Sequence, residues 1–152
     1  IPITNTIYFG GKEHGSFKMK IETEILLKTD IEKAIKLPLI NKEKEAEQII
    51  TGGKHYLDSK SLAILNYYKI NFSETNYIAL PSAIKFCEIA EGNSDIYPRL
   101  YPCMEWDTAS GHAILNGIGK NIYELSTNLP LKYNKSDLYT PFFIAKWPCF
   151  YS

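Results

Sequence analysis

The chain has 152 residues, 45% hydrophobic and 13% aromatic, which suffices for one domain with an ordinary core and excludes an intrinsically disordered protein. Seventeen Lys and Arg balance seventeen Asp and Glu, so no net charge attracts the chain to nucleic acid or to an anionic membrane. No apolar run reaches the about 20 residues of a membrane span, and three cysteines without a C-x-x-C pair indicate buried thiols, so we expect a cytoplasmic protein.

The N-terminal residues predict a β-hairpin. Residues 1–9 are β-branched and aromatic, a Gly-Gly pair interrupts them, and residues 16–27 form a second extended run. Apolar and charged side chains alternate in this second run, which is typical of a half-buried strand. Residues 29–47 are rich in Lys and Glu and are predicted as loop and edge structure.

Strands and helices alternate in the rest of the chain. Strands are predicted at residues 48–51, 76–80, 95–99, 121–125 and 142–146, and helices at residues 58–68, 81–91 and 107–116. Asp58 or Ser59 would cap the first helix, Pro81 suits the first turn of the second, and Gly92 would end that helix. This alternation predicts an α/β fold in which helices flank a parallel or mixed sheet.

Asp107 is the first candidate for chemistry. It lies at the predicted start of a helix, where backbone N–H groups and the helix dipole keep a carboxylate ionised. By spacing alone, an aspartate at this position is more often a helix cap than a metal ligand. His112 would face a different part of the helix, so we expect it to be packed or on the surface. Three carboxylates are possible partners of Asp107 but are expected to be solvated: Glu88, Glu91 and Glu105.

Four further positions are candidates for binding an anion. His55 ends a Gly-Gly-Lys-His segment between a strand and a helix, although no formal phosphate-loop motif is present. Lys85 follows Ser82 near the start of the next helix, and Arg99 is the only arginine in the chain. A plain Gly-Gly turn and an exposed lysine are the structural alternatives.

Three segments together resemble a known family. They are K-F-C-E-I-A-E-G at residues 85–92, Y-P-R at residues 97–99 and W-D-T-A-S-G-H-A at residues 106–113. They are similar to the C-terminal half of the CysQ-type 3′(2′),5′-bisphosphate nucleotidases, which belong to the inositol-monophosphatase-like phosphatases. Residues 15–17 and 131–134 are also similar to this family.

The resemblance implies a layered αβαβα sugar-phosphatase-like fold, of which this chain is about the second half. Residues 1–40 would be a hairpin of the central sheet of an absent N-terminal domain, and residues 41–152 the C-terminal α/β domain. Asp107 would bind one of two or more Mg²⁺ ions, while His55, Ser82, Lys85 and Arg99 would bind the substrate. The expected reaction is hydrolysis of adenosine 3′,5′-bisphosphate to AMP and phosphate by a metal-activated water.

The other metal ligands of that family lie in sequence segments that are not found in these 152 residues. One of them is a D-x-x-D-G motif, which does not occur here. We therefore expect the isolated chain to be inactive, with a missing N-terminal half or a second copy of itself as partner. A non-catalytic remnant that binds nucleotide or oligomerises is one alternative. Inositol monophosphate as substrate is another, which the K-F-C and Y-P-R segments disfavour. Pro81, Gly52-Gly53-Lys54 and Tyr101 depart from the family pattern and leave the substrate open.

Overall fold

The computed structural model describes residues 1–21, 31–40, 49–53, 58–67 and 76–146. The described strands are β1 Thr6–Gly11, β2 Gly15–Lys20, β3 Ile35–Lys36, β4 Ile50–Gly52, β5 Tyr77–Ala79, β6 Ile96–Arg99, β7 Cys103–Met104, β8 Asn121–Glu124, β9 Tyr139–Thr140 and β10 Phe143–Lys146. The described α-helices are α1 Ser59–Tyr67, α2 Ile84–Glu91 and α3 Ala109–Gly117. Short 3₁₀ helices span Pro2–Thr4 and Glu105–Asp107.

The central feature is a five-stranded mixed sheet in the order β5-β4-β6-β10-β8. Strand β4 pairs in parallel with β5 and β6, whereas β10 is antiparallel to β6 and β8. Because side chains alternate along a strand, Tyr97 and Phe143 pack with α2 and α3, while Ile96 and Ile144 pack with Leu65 of α1. Helices thus cover both faces of the sheet, and the predicted α/β class is confirmed.

The predicted hairpin forms a separate three-stranded sheet, β1-β2-β3, that lies against α3. The Ser16 hydroxyl donates to the Ile114 carbonyl at 2.7 Å. A Cβ at Gly117 would lie 2.7 Å from the Gly15 carbonyl carbon and oxygen, so only glycine allows this approach. The division of the chain after residue 40 stays a prediction.

Two helix starts differ from the sequence-based prediction. Helix α2 begins at Ile84 and not at Pro81, because Ser82 has a left-handed φ of 47° that a right-handed helix cannot continue. Helix α3 begins at Ala109, after a separate 3₁₀ turn that contains Asp107. The β7–β9 ribbon was not predicted, since strands of two residues show no periodicity.

Two of the carboxylates expected to be solvated are buried, so that prediction is wrong for Glu91 and Glu105, which are 5% and 7% exposed. Glu91 accepts hydrogen bonds from the Tyr8 hydroxyl and, at 2.7 Å, from the Lys18 ammonium, which joins the hairpin to α2. Both partners lie far from Glu91 in sequence, so local patterns cannot reveal them. None of the described helices has the length and apolar character that a bilayer crossing requires.

Candidate phosphate-binding site

A cavity of about 310 Å³ lies where the start of α2, the end of β6 and the 3₁₀ turn before α3 meet. Its lining includes Ser82, Lys85, Arg99 and Asp107, four of the five residues proposed from the sequence. The fifth, His55, lies outside the described residues. The fold therefore brings these four residues, which lie on different elements of the chain, to one concave surface.

Lys85 is buried, with 3% of its surface exposed, so the alternative of a solvated surface lysine is wrong. Its ammonium donates to the carbonyls of Ser82 at 2.6 Å and Leu80 at 3.2 Å, and lies 5.0 Å from the centre of the Tyr97 ring. Burial, with a smaller contribution from Arg99, lowers the pKa of Lys85 from 10.5 to about 8. An ammonium has three donors, so one is left for a ligand.

Arg99 is held at the rim of the cavity by its own strand end. Its Nε donates to the Tyr101 carbonyl at 3.2 Å, and Nη2 lies 3.5 Å from the Pro102 carbonyl. These bonds fix the plane of the guanidinium, which also interacts with the Tyr97 and Cys103 side chains. Two cations on one cavity wall attract an anion, and phosphate or carboxylate oxygens match an arginine fork.

Asp107 faces the same cavity from the 3₁₀ turn Glu105–Asp107. Its Oδ2 accepts a hydrogen bond from the Met104 N–H at 3.0 Å, so the carboxylate at the third position of this turn bonds back to the residue that precedes the turn. Asp107 is therefore not the cap of α3, which begins after Thr108 without a side-chain cap bond. The neighbouring Trp106 also lines the cavity and is 64% exposed. The role of Asp107 as a metal ligand stays a prediction.

The described residues do not form a complete Mg²⁺ site. Mg²⁺ prefers about six oxygen ligands in octahedral geometry, and Asp107 supplies one carboxylate. Across the described ranges, no group of three or more His, Cys, Asp or Glu side chains could hold a metal ion. The two or more ions that the resemblance implies therefore lack a full ligand set here.

Other residues on the cavity wall are neutral. Burial raises the pKa of Tyr97 to about 12 and also raises the pKa of the Cys103 thiol, so neither ionises at neutral pH. Tyr97 is part of the Y-P-R segment, so the sequence resemblance could have identified it as a site residue. No sequence pattern predicted that Cys103 would line the cavity. It does so because β7 pairs with β9.

His112 does not line the cavity, and of the two expected placements, packed or on the surface, the structure shows the packed one. Its Nδ1 lies 2.8 Å from the Tyr133 hydroxyl and its Nε2 lies 2.5 Å from Asn121 Oδ1. Burial lowers the pKa of His112, which favours the neutral ring. Both ring nitrogens are thus used in packing α3 against neighbouring segments.

A mixed sheet between helices, with a cationic cavity beside one carboxylate, defines an α/β protein with a candidate anion-binding site. The chain belongs to the inositol monophosphatase family, whose profile matches residues 1–144. This finding confirms the resemblance that the three sequence segments indicate.

Two CysQ proteins are among the relatives. The 3′(2′),5′-bisphosphate nucleotidase CysQ of Escherichia coli (strain K12) is 37% identical over 71 residues, which are 47% of this chain and 28% of that protein. The crystal structure of CysQ from Bacteroides thetaiotaomicron, a bacterial member of the inositol monophosphatase family, matches with a TM-score of 0.76 and 32% identity. That match covers 96% of this chain and 55% of the other.

A more distant neighbour shows the fold alone. Inositol monophosphatase II from Staphylococcus aureus MSSA476 matches with a TM-score of 0.66 and 17% identity, over 95% of this chain and 47% of the other. The chain thus spans about half the length of the solved relatives that it matches.

Proposed function

We propose that this chain supplies the nucleotide-binding half of a phosphomonoesterase, and that the whole protein hydrolyses adenosine 3′,5′-bisphosphate to AMP and phosphate. The observation that carries this proposal is the joint placement of Lys85, Arg99 and Asp107 around one cavity. The name of the Escherichia coli relative, a 3′(2′),5′-bisphosphate nucleotidase, supports this substrate class.

The charges in the cavity suggest how a bisphosphate would be bound. Lys85 and Arg99 would hold the phosphate that is not cleaved, because a buried ammonium and a fixed guanidinium recognise a dianion strongly. Asp107 would repel a second phosphate unless a cation lay between them. We therefore propose that the whole protein depends on Mg²⁺, with further ligands from groups other than the described residues. A separate N-terminal half would supply them, and a second copy of the chain is the other partner that the resemblance leaves open.

Isothermal titration calorimetry of the 152-residue chain with adenosine 3′,5′-bisphosphate tests the binding step. The Lys85→Met variant should bind about tenfold or more weakly, since a hydrogen bond to a charged group contributes about 1.5–3 kcal/mol. Lys36→Gln, which removes an exposed lysine of β3, serves as the matched control and should bind as the wild type does. Equal affinities of the Lys85→Met variant and the wild type would contradict the proposal.

A phosphate-release assay tests the expected inactivity of the isolated chain. With millimolar Mg²⁺, we expect bound adenosine 3′,5′-bisphosphate to stay intact, and steady turnover would show that the chain is a complete enzyme.

Inositol monophosphate, the alternative substrate, should compete poorly for the cavity. In the described part of the chain both cysteines, Cys87 and Cys103, are free, which supports the proposed cytoplasmic location.

A further inference from the structure

Glu105 is a buried carboxylate that lies outside the lining of the phosphate cavity but only two residues before Asp107. Burial of a charge is costly unless the charge is paired and hydrogen-bonded. Glu105 meets this condition: it accepts hydrogen bonds from the N–H groups of Asn134 at 2.6 Å and Lys135 at 3.2 Å, and it forms an ion pair with the Lys135 ammonium.

All of these partners belong to one loop, residues 131–138, which lies between β8 and β9 and leads directly into β9. Two residues of this loop have left-handed backbones, Asn134 with φ 65° and Leu138 with φ 55°. A leucine in this conformation is strained by about 1–2 kcal/mol, so local preference does not set the shape of the loop. The Glu105 N–H also donates to the Leu138 carbonyl at 2.9 Å, so Glu105 holds the loop at both of its left-handed residues.

The backbone of Glu105 also organises the turn that carries Asp107. The Glu105 carbonyl accepts hydrogen bonds from the Thr108 N–H at 3.1 Å and from the Thr108 hydroxyl at 3.0 Å. Asp107 in turn accepts the Met104 N–H, on the other side of Glu105. A shift of Glu105 would therefore move Trp106 and Asp107, the two residues of this turn that reach the cavity.

We propose that Glu105 is a positioning residue that couples the loop at residues 131–138 to the turn bearing Asp107, and so sets the shape of the phosphate cavity. The loop acts through Glu105 and touches no ligand itself. The part of this inference that concerns ligand affinity rests on the proposed function. The coupling between loop and turn does not, because it is a property of the ligand-free chain.

Nuclear magnetic resonance of the ligand-free chain tests the coupling. In Glu105→Gln we expect amide hydrogen exchange at Asn134 and Lys135 to become at least about tenfold faster, because charge-assisted hydrogen bonds are lost. The indole N–H signal of Trp106, assigned with the help of Trp147→Phe, should shift in the same variant. Glu124→Gln, at a partly exposed carboxylate that bonds the Ser126 hydroxyl, is the control and should change neither readout.

Calorimetry then measures the effect on the cavity. Glu105→Gln should lower the affinity for adenosine 3′,5′-bisphosphate about tenfold. Faster exchange in the loop with an unchanged Trp106 signal and unchanged affinity would show that Glu105 serves only the loop, and would overturn the proposal. If Glu105→Gln fails to fold, Lys135→Met removes only the ammonium and keeps both backbone bonds, and the same comparison applies to it.

The two proposals fail in different ways. If the wild type does not bind the bisphosphate, the proposed function is wrong, and the Trp106 and exchange readouts of the ligand-free protein still decide the coupling. If the wild type binds and Glu105→Gln binds equally well, the proposed function stands and the positioning role does not.

Discussion

Binding of a phosphate ligand should make the protein take up a proton at Lys85. Burial holds the pKa of this ammonium at about 8, well below its usual value of 10.5. A bound dianion compensates the buried positive charge, so the pKa of Lys85 should return towards 10.5 in the complex. Lys85→Met removes the titrating group and keeps an apolar side chain of similar length, so the proton uptake should disappear with it.

The size of the uptake follows from the two pKa values. At about pH 7.5 the free lysine is about 76% protonated, and at about pH 8.5 about 24%. With the pKa restored in the complex, binding should take up about 0.24 proton at the lower pH and about 0.75 at the higher. The affinity should fall about threefold over this range, because only the protonated lysine binds the anion well. A phosphate monoester has its second pKa at about 6, so ionisation of the ligand contributes little.

Calorimetry with adenosine 3′,5′-bisphosphate in two buffers of different ionisation enthalpy measures the uptake at each pH. Divalent cations are left out so that only the cationic side of the cavity is probed. The exposed-lysine control Lys36→Gln should keep both values. An uptake that is the same at the two pH values, or that persists in Lys85→Met, would refute this reasoning.

Three further predictions concern the cavity rim, the packed histidine and the hairpin. Arg99→Lys keeps the charge but loses the planar fork, so calorimetry should show about tenfold weaker binding of the bisphosphate. An unchanged affinity would show that Arg99 contributes only its charge. Because burial lowers the pKa of His112, the unfolded chain binds more protons below about pH 6.5, and stability should fall on acidification. In urea unfolding, His112→Gln should flatten this pH dependence, whereas His14→Gln, at an exposed turn, should not. Gly117→Ala should destabilise the fold by about 1–3 kcal/mol through overlap with the hairpin, and Gly11→Ala, with open space around its Cβ, should be close to neutral in the same assay.

Most of the sheet could be predicted from the sequence because its strands carry local signals. The short apolar runs of β4, β6 and β10 placed these strands within one or two residues, and the alternation in β2 placed its start. The predicted end of that strand at residue 27 lies beyond Lys20 and outside the described residues. The start of α2 could not be predicted from Pro81 alone, because the left-handed Ser82 that delays it is imposed by tertiary structure. Here the tertiary context overrides a valid helix-start signal.

The site was predicted by resemblance more than by residue chemistry. Spacing alone suggested that Asp107 caps a helix, whereas it stabilises the 3₁₀ turn before α3, and spacing gave no reason to join it with Lys85 or Arg99. The burial of Lys85 depends on Tyr97 of a strand beyond its own helix, so no local pattern shows it. Glu105 was misjudged for the same reason, since its partner Lys135 lies 30 residues away.

The buried charges support the proposal that an anion binds in this cavity. Glu91 and Glu105 each have a lysine partner, so their charges are balanced within the fold. Lys85 is buried to a similar degree, yet in the described part of the chain it forms no ion pair and is held by carbonyls and an aromatic ring. The lowering of its pKa corresponds to about 3 kcal/mol of unfavourable burial at neutral pH, which a bound anion can offset. A ligand anion would therefore compensate a cation that the described part of the fold leaves without an ion pair, and the free energy recovered there would favour binding over the empty state.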